Sequence, residues 1–168
     1  LPKELQRKFL ELGFDSDDSL RRSTIKISGC PNSCGQHEIA TIGFFGGASR
    51  IGSAMAPTYT MLFAGSDGEF GELGRAIMRV PAKRVIDTIR KIIELYKQER
   101  NNTETLNQWI SKVAAGEGKG SIKNIENIKA VLLPVTQLAS IEEDPESYRD
   151  YGNDIKFSAK TARGECAA

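Results

Sequence analysis

The segment Thr24–His37 reads TIKISGCPNSCGQH, and the rest of the fold can be worked out from it. Its first five residues alternate polar and β-branched side chains, which places Ile25 and Ile27 on one face and predicts a short strand over Thr24–Ser28. Gly, Pro, Asn and Ser then crowd together as far as His37, a composition typical of a tight loop. The segment therefore predicts a strand that runs directly into a loop carrying two cysteines.

Further strands are predicted downstream of this loop. β-Branched and aromatic residues predict strands over Ile39–Phe45 and Thr58–Ala64. Glycines and a proline between them predict loops, namely Gly46, Gly47, Gly52 and Pro57. Strands in the first half and helices in the second indicate an α+β fold, a small mixed sheet with helices packed on it, followed by a helical C-terminal region.

Apolar residues at helical spacing predict four helices, with bounds Leu1–Phe14, Pro81–Gln98, Thr103–Val113 and Ile122–Leu133. The second helix has the clearest apolar stripe, formed by Val85, Ile89, Ile92, Ile93 and Tyr96. Thr103 is expected to open a capping box, and Pro134 is expected to end the fourth helix. The chain then turns polar and aperiodic, so we expect Ser140–Ala168 to be loosely ordered or to depend on a partner.

Composition excludes several classes of protein. The 168 residues carry 23 Lys+Arg against 22 Asp+Glu, a formal net charge of +1, without the basic excess of a nucleic-acid-coating protein. The sequence contains neither an apolar run of about 18 residues nor a secretory signal, so we expect a soluble, cytoplasmic protein without nucleic-acid or membrane partners. Three cysteines are a poor disulfide framework and a better indication of metal or redox chemistry.

Cys30 and Cys34 are candidate metal ligands, because two thiolates four positions apart on one loop can bind the same iron–sulfur cluster or zinc ion. Pro31 fixes the direction in which the backbone leaves the first thiol. The small residues Ser33 and Gly35 let the backbone approach a bulky inorganic group, and their N–H groups could donate hydrogen bonds to cluster sulfurs.

Two other interpretations of this pair stay open. His37 lies three positions after Cys34, so Cys30, Cys34 and His37 could hold a structural zinc in a non-catalytic binding module. More often, such a His lies at the start of a helix and faces solvent or a neighbour. The two thiols could also be inert small hydrophobic groups in a plain α+β domain.

The run Thr24–Gln36 resembles the signature of the sirohaem-dependent nitrite and sulfite reductases. In that family a Gly-Cys-Pro-Asn-Ser/Gly-Cys half-motif follows a C-x5-C half-motif that lies upstream. The resemblance covers roughly residues 23–116, including the following strands, the glycine-rich turns and the Val-Pro-Ala-Lys start of a long helix. It implies that residues 1–116 are a 4Fe–4S and sirohaem-binding domain, truncated at its N-terminus, and that residues 117–168 are a helical extension with a polar tail.

The resemblance also implies roles for residues of the loop. Cys30 and Cys34 would be ligands of a 4Fe–4S cluster, and Cys34 would bridge the cluster to the sirohaem iron. Asn32 would lie close to the macrocycle, and Gly35 and Gln36 would line the same turn. No residue of this chain is expected to be the catalytic proton donor.

The function implied by the resemblance is the six-electron reduction of nitrite or sulfite, with ferredoxin or a flavoprotein as electron donor. The C-x5-C half-motif is absent before Cys30 and position 1 is not Met, so we expect a C-terminal part of a longer haemoprotein. Its upstream half would supply the other cluster ligands, and this part alone would be inactive. Ser33 is more typical of the nitrite branch, since Gly is common at that position in the sulfite branch.

Overall fold

The computed structural model of the chain describes residues 6–8, 10–11, 14, 16–66, 71–151 and 155–158. The strands in these ranges are β1 (Ile25–Ser28), β2 (Ile42–Ile51), β3 (Ala54–Phe63) and β4 (Arg75–Pro81). The α-helices are α1 (Asp18–Arg21), α2 (Val85–Glu99), α3 (Leu106–Ala115) and α4 (Ile125–Thr136). Short 3-10 turns lie at His37–Ile39, Ala82–Arg84 and Pro145–Tyr148. Residues 6–8 and 10–11 are helical, within the first predicted helix.

The four strands form one sheet in the order β1-β2-β3-β4, with β1 parallel to β2 and the other two pairs antiparallel. Ser28 at the end of β1 pairs with Phe45, so the chain has to return along the sheet to begin β2 at Ile42. A parallel pair needs such a crossover connection. Here the crossover consists of residues 29–36, which we call the Cys loop, and the 3-10 turn that follows. The mixed sheet with its helices confirms the predicted α+β class.

β2 and β3 form a hairpin that is longer than predicted. Gly46 and Gly47 lie inside β2 and are paired with β3, so the predicted loop at these glycines was wrong. Gly52 and Ser53 make the turn, and Gly52 has φ +58°, as the first central residue of a type II′ turn requires. Pro57 lies in β3 just beyond the segment paired with β4, where a strand paired on one side tolerates a missing N–H.

Two other strand predictions were also wrong. β2 begins at Ile42, because Ile39 belongs to the 3-10 turn of the crossover. β4 was not predicted at all, and Pro81 was assigned to the start of a helix. Pro81 instead ends β4 with φ −55° and ψ 140°, extended values that the prolyl ring permits, and α2 begins only at Val85.

The helices follow the predicted periodicity, but α2, α3 and α4 each begin three or four residues later than predicted, at Val85, Leu106 and Ile125. α4 begins after Asn124 rather than at Ile122, because the Asn124 side chain caps the helix by accepting the Asn127 N–H. All five residues of the predicted stripe on α2 are buried. The capping box of α3 uses Thr105 and Gln108 rather than Thr103, since the Thr105 hydroxyl accepts from the Gln108 N–H and the Gln108 side chain accepts from the Thr105 N–H. α4 runs through Pro134 to Thr136, because a proline in the last turn removes a single helical hydrogen bond. No helix of the described ranges is long and apolar enough to cross a bilayer.

The core lies where one face of the sheet meets the helices. Ile42 and Phe44 of β2 and Met61 and Phe63 of β3 have no exposed surface, and they alternate with residues of the opposite face. Each such side chain contributes about 1.5–3 kcal/mol relative to an exposed one. This packing fixes β2 as a rigid support for the Cys loop beside it.

The C-terminal segment is ordered as far as the structure describes it, contrary to the prediction for Ser140–Ala168. Tyr148 is 1% exposed, packs on Ala54 and Ala56 of β3, and donates its hydroxyl to the Ala139 carbonyl at 2.7 Å. Burial of an aromatic ring was sufficient to order residues that composition alone placed outside the fold. Residues 152–154 and 159–168, with Cys166, lie outside the described ranges.

Candidate functional site

The five residues predicted to form the site all lie in the Cys loop. Cys30 is half-buried, whereas Cys34 is exposed. Asn32, Gly35 and Gln36 are also exposed. The loop therefore presents two thiols on one short crossover, and one of them is freely accessible from outside the chain.

The backbone of the loop is bent sharply on both sides of Cys34. Ser33 has φ +57° and Gln36 has φ +55°, left-handed values that cost a non-glycine residue about 1–2 kcal/mol. The Gln36 N–H donates to the Ser33 carbonyl at 2.7 Å, and the Lys26 ammonium donates to the Gln36 side-chain oxygen at 3.1 Å. These contacts hold Cys34 in a tight turn tied back to β1.

Gly35 brings the far side of this turn against the end of β1. A Cβ atom on Gly35 would lie 2.5 Å from the Ile27 carbonyl oxygen and 2.8 Å from the Ser28 hydroxyl, so a larger residue does not fit. The Gly35 N–H donates to the Ser28 Oγ at 3.1 Å. The prediction that this N–H could donate to a cluster sulfur was therefore wrong, because the donor is already used within the chain.

Gly46 holds the near side of the loop in the same way. A Cβ atom there would lie 2.3 Å from the Gly29 carbonyl oxygen, immediately before Cys30. The neighbouring Gly47 has nothing within 4 Å of its Cβ position. β2 thus supports the loop through direct backbone contact at one of its two adjacent glycines.

His37 begins the 3-10 turn and faces its neighbours, which is one of the two orientations that the sequence predicted for it. Its side chain is 1% exposed, its Nδ1 lies 2.8 Å from the Ser28 Oγ, and its ring is 5.0 Å from that of Phe45. Burial lowers the pKa of His37 below its usual range, and the charge of Glu38 opposes this only in part. The neutral imidazole is therefore the form that this packing favours.

The zinc interpretation of Cys30, Cys34 and His37 finds no support in this arrangement. In the ranges that the structure describes, no group of three or more His, Cys, Asp or Glu side chains is placed to hold a metal ion. The one nitrogen of His37 with an assigned partner bonds to Ser28. His37 is thus part of the packing beneath the loop, and the ligand candidates are the two thiols.

A cavity of about 560 Å³ opens beside Cys30, and we did not predict it from the sequence. The Cys loop, the β2–β3 hairpin and the C-terminal segment each contribute to its wall, through residues that include Cys30, Gly47, Tyr59, Tyr151 and Phe157. Burial raises the pKa of Tyr59, and the charge of Asp150 raises it further. The aromatic residues of the C-terminal tail, Tyr151 and Phe157, were the available signal for this part of the wall.

Ser28 and Gly46 were also missed as residues that shape the site. Both residues act through contacts with the β1–β2 crossover. Neither is a metal ligand or part of a catalytic motif, so a search for such motifs does not find them. A polar residue at the end of an apolar strand, followed by a loop with cysteines, was the available signal for Ser28.

Comparison with known proteins places this loop in a family. Residues 12–119 match the profile described as the nitrite and sulphite reductase 4Fe-4S domain. Sulfite reductase (ferredoxin) 1 of Mycolicibacterium paratuberculosis is 28% identical over 112 residues, which are 65% of this chain and 20% of that protein. The assimilatory ferredoxin-dependent nitrite reductase of Haloferax mediterranei is 28% identical over 104 residues, 61% of this chain and 18% of its own length.

A solved structure gives the same result for the fold. The NirA protein of Mycobacterium tuberculosis superposes with a TM-score of 0.58 at 26% sequence identity, over 65% of this chain and 21% of that chain. The chain therefore spans about one fifth of the length of the relatives that it matches. Because the family profile covers well over half of the residues, the chain belongs to the nitrite and sulphite reductase 4Fe-4S domain family.

Proposed function

We propose that this chain is the part of a sirohaem-dependent nitrite or sulfite reductase that supplies Cys30 and Cys34 as ligands of a 4Fe–4S cluster. One observation carries the proposal: a single loop, packed against the sheet on both sides, bears both thiols. This loop lies within the residues that match the family profile. Two soft thiolates on a rigid loop are the type of donor that such a cluster requires.

The residues present fit half of the ligand shell. A 4Fe–4S cluster takes four Cys thiolates, and the described ranges contain Cys30 and Cys34. The chain spans about one fifth of its relatives, so we propose that the remaining ligands lie in an upstream part of the whole protein. The exposure of Cys34 leaves its thiol accessible to a group held jointly with that part.

The other loop residues have proposed roles that follow the family resemblance. Cys34 would also bridge to the sirohaem iron, and Asn32 would lie close to the macrocycle. Gly35 would shape the turn through its close approach to β1, and Gln36 through the hydrogen bond from Lys26. When bound, the coupled cofactors would pass electrons from the external donor to nitrite or sulfite, six for each anion reduced.

Ferredoxin is the proposed electron donor, because both relatives named above are described as ferredoxin enzymes. A flavoprotein is the alternative donor. The relatives include a sulfite reductase and a nitrite reductase, so we propose nitrite or sulfite as the substrate without choosing between them. Rates measured with each anion and each reduced donor, using the whole protein, distinguish the four combinations.

The ligand proposal is tested by counting iron and acid-labile sulfide in the whole protein purified without oxygen. The wild type should hold the iron and acid-labile sulfide of one 4Fe–4S cluster per chain, together with the iron of the sirohaem. Cys30→Ser and Cys34→Ser should each lose most of the cluster iron and sulfide, because a hydroxyl is a poor ligand for the cluster. Cys166→Ser is the matched control and should keep the wild-type content. Full iron content in both loop variants would overturn the proposal.

A further inference from the structure

The side chains of Ser28 and His37 meet directly beneath the Cys loop and have no part in the ligand set proposed above. Ser28 is 5% exposed at the end of β1, and its Oγ receives the Gly35 N–H at 3.1 Å. The same Oγ lies 2.8 Å from the Nδ1 of His37. One buried hydroxyl therefore joins the strand, the loop and the 3-10 turn that follows the loop.

The position of His37 is itself fixed from two sides. Its ring packs against Phe45 at 5.0 Å between ring centres. Its carbonyl oxygen would be 2.0 Å from a Cβ on Gly43, so its backbone lies directly on β2. A ring held in this way keeps its Nδ1 on the Ser28 hydroxyl, and it limits the directions in which that hydroxyl can accept the hydrogen bond from Gly35.

Gly35 transmits this constraint to the candidate ligand. Its N–H belongs to the peptide bond that begins at Cys34, so the hydrogen bond to Ser28 fixes the plane of that peptide. Ser33 and Gln36, before and after Cys34, have strained left-handed backbone conformations. Such conformations persist only when contacts with the surrounding structure hold them in place. The Ser28 hydroxyl supplies one such buried contact, and it acts on the Cys34–Gly35 peptide itself.

We infer that Ser28 and His37 are positioning residues that pre-organise Cys34 as a ligand by holding the Cys34–Gly35 peptide. The inference rests on the proposed function, because it assumes that Cys34 binds a metal group. It can be tested separately, since pre-organised thiols bind a soft metal ion more tightly than mobile ones. The probe is Cd²⁺ alone, titrated into the chain with Cys166→Ser as background and followed by thiolate-to-metal absorption.

Ser28→Ala should weaken Cd²⁺ binding roughly fivefold and speed the exchange of the Gly35 amide hydrogen by a similar factor, the order expected for one lost hydrogen bond. His37→Phe keeps an aromatic ring without Nδ1 and should give part of both effects. His37→Asn places a polar atom close to the former Nδ1 and should restore the wild-type values.

Thr136→Val is the matched control, because it removes another buried hydroxyl, one that donates to the Leu132 carbonyl within α4 and makes no hydrogen bond to the Cys loop. It should lower the urea midpoint while leaving Cd²⁺ affinity and Gly35 exchange unchanged. Equal effects of Thr136→Val and Ser28→Ala would overturn the inference, as would a Ser28→Ala variant within twofold of wild type in both readouts. If Cd²⁺ binds as expected but the whole protein holds no iron, the proposed function fails and the positioning role stands.

Discussion

The two adjacent glycines of β2 give the sharpest test of how the sheet supports the Cys loop. Gly46 and Gly47 differ by one position, and only the first is in backbone contact with the loop. A Cβ on Gly46 would be 2.3 Å from the Gly29 carbonyl oxygen, whereas ordinary contact begins at 3.4 Å. The Gly29 backbone must therefore move by about 1 Å, and it cannot rotate away as a side chain would.

The expected magnitudes follow from these distances. Gly46→Ala should destabilise the chain by about 1–3 kcal/mol, the usual cost of overpacking. Gly47→Ala should be stabilising by about 0.5–1 kcal/mol, because its Cβ has open space and alanine loses less backbone entropy on folding. The two variants should thus differ by about 1.5–4 kcal/mol despite their identical chemistry.

Urea unfolding followed by the fluorescence of Trp109 measures this difference. Trp109 is 2% exposed and is the single Trp of the chain, so its emission reports on the core. At a slope of about 1–3 kcal/mol per molar urea, the midpoints of the two variants should lie about 1 M apart. Equal midpoints, or a Gly46→Ala variant more stable than Gly47→Ala, would refute the packing of the loop on β2.

Three further outcomes are expected. The free energy of unfolding should fall from about pH 7.5 to about pH 5.5, by at most about 1.4 kcal/mol per pH unit, because the buried His37 has a lowered pKa and the unfolded chain takes the proton first. His37→Asn should flatten this profile in urea titrations, and an unchanged slope would contradict the assignment. Tyr148→Ala should release the C-terminal segment, which forms part of the cavity wall beside Cys30. Iodoacetamide should then alkylate Cys30 faster, while the rate for Cys34 stays unchanged. Equal acceleration of both thiols would argue against a local effect. Ser33→Gly should raise the urea midpoint by the equivalent of about 0.5–1 kcal/mol, because φ is +57° there, and a lower midpoint would contradict the left-handed assignment.

The pattern of apolar residues predicted those strands and helices that bury one face and expose the other. Alternation gave β1, and helical periodicity gave the stripe on α2, since in each case the apolar residues alone specify the core-facing side. The Cys loop was predicted from its Gly, Pro, Asn and Ser content. The same residues carried the family resemblance, and the match over residues 12–119 confirms it.

The elements that were missed depend on contacts between distant parts of the chain. Gly46 was predicted to lie in a loop. A side chain is excluded there because the Gly29 carbonyl lies too close, and the sequence alone does not show that these two residues are neighbours. Tyr148 lies in an acidic tail, and the small residues of β3 that receive its ring are some ninety positions earlier. Such pairings are set by tertiary packing, which overrides local composition.

The site also combines features that local sequence predicts with features that depend on contacts between distant residues. The two thiols could be chosen from spacing and chemistry, but the Ser28–His37 contact exists only because β1 and β2 are parallel and the crossover folds back over them. The expected boundary at residue 116 stays a prediction.

The most direct test of the central claim is the absorption spectrum of the whole protein, made in cells that supply sirohaem and purified without oxygen. We expect strong Soret and red-region bands in the wild type and in Cys166→Ser. Those bands should be lost in Cys34→Ser, whose hydroxyl cannot hold the shared ligand position. A colourless wild-type protein, or bands that persist unchanged in Cys34→Ser, would contradict the assignment of this loop as the ligand-bearing part of a nitrite or sulfite reductase.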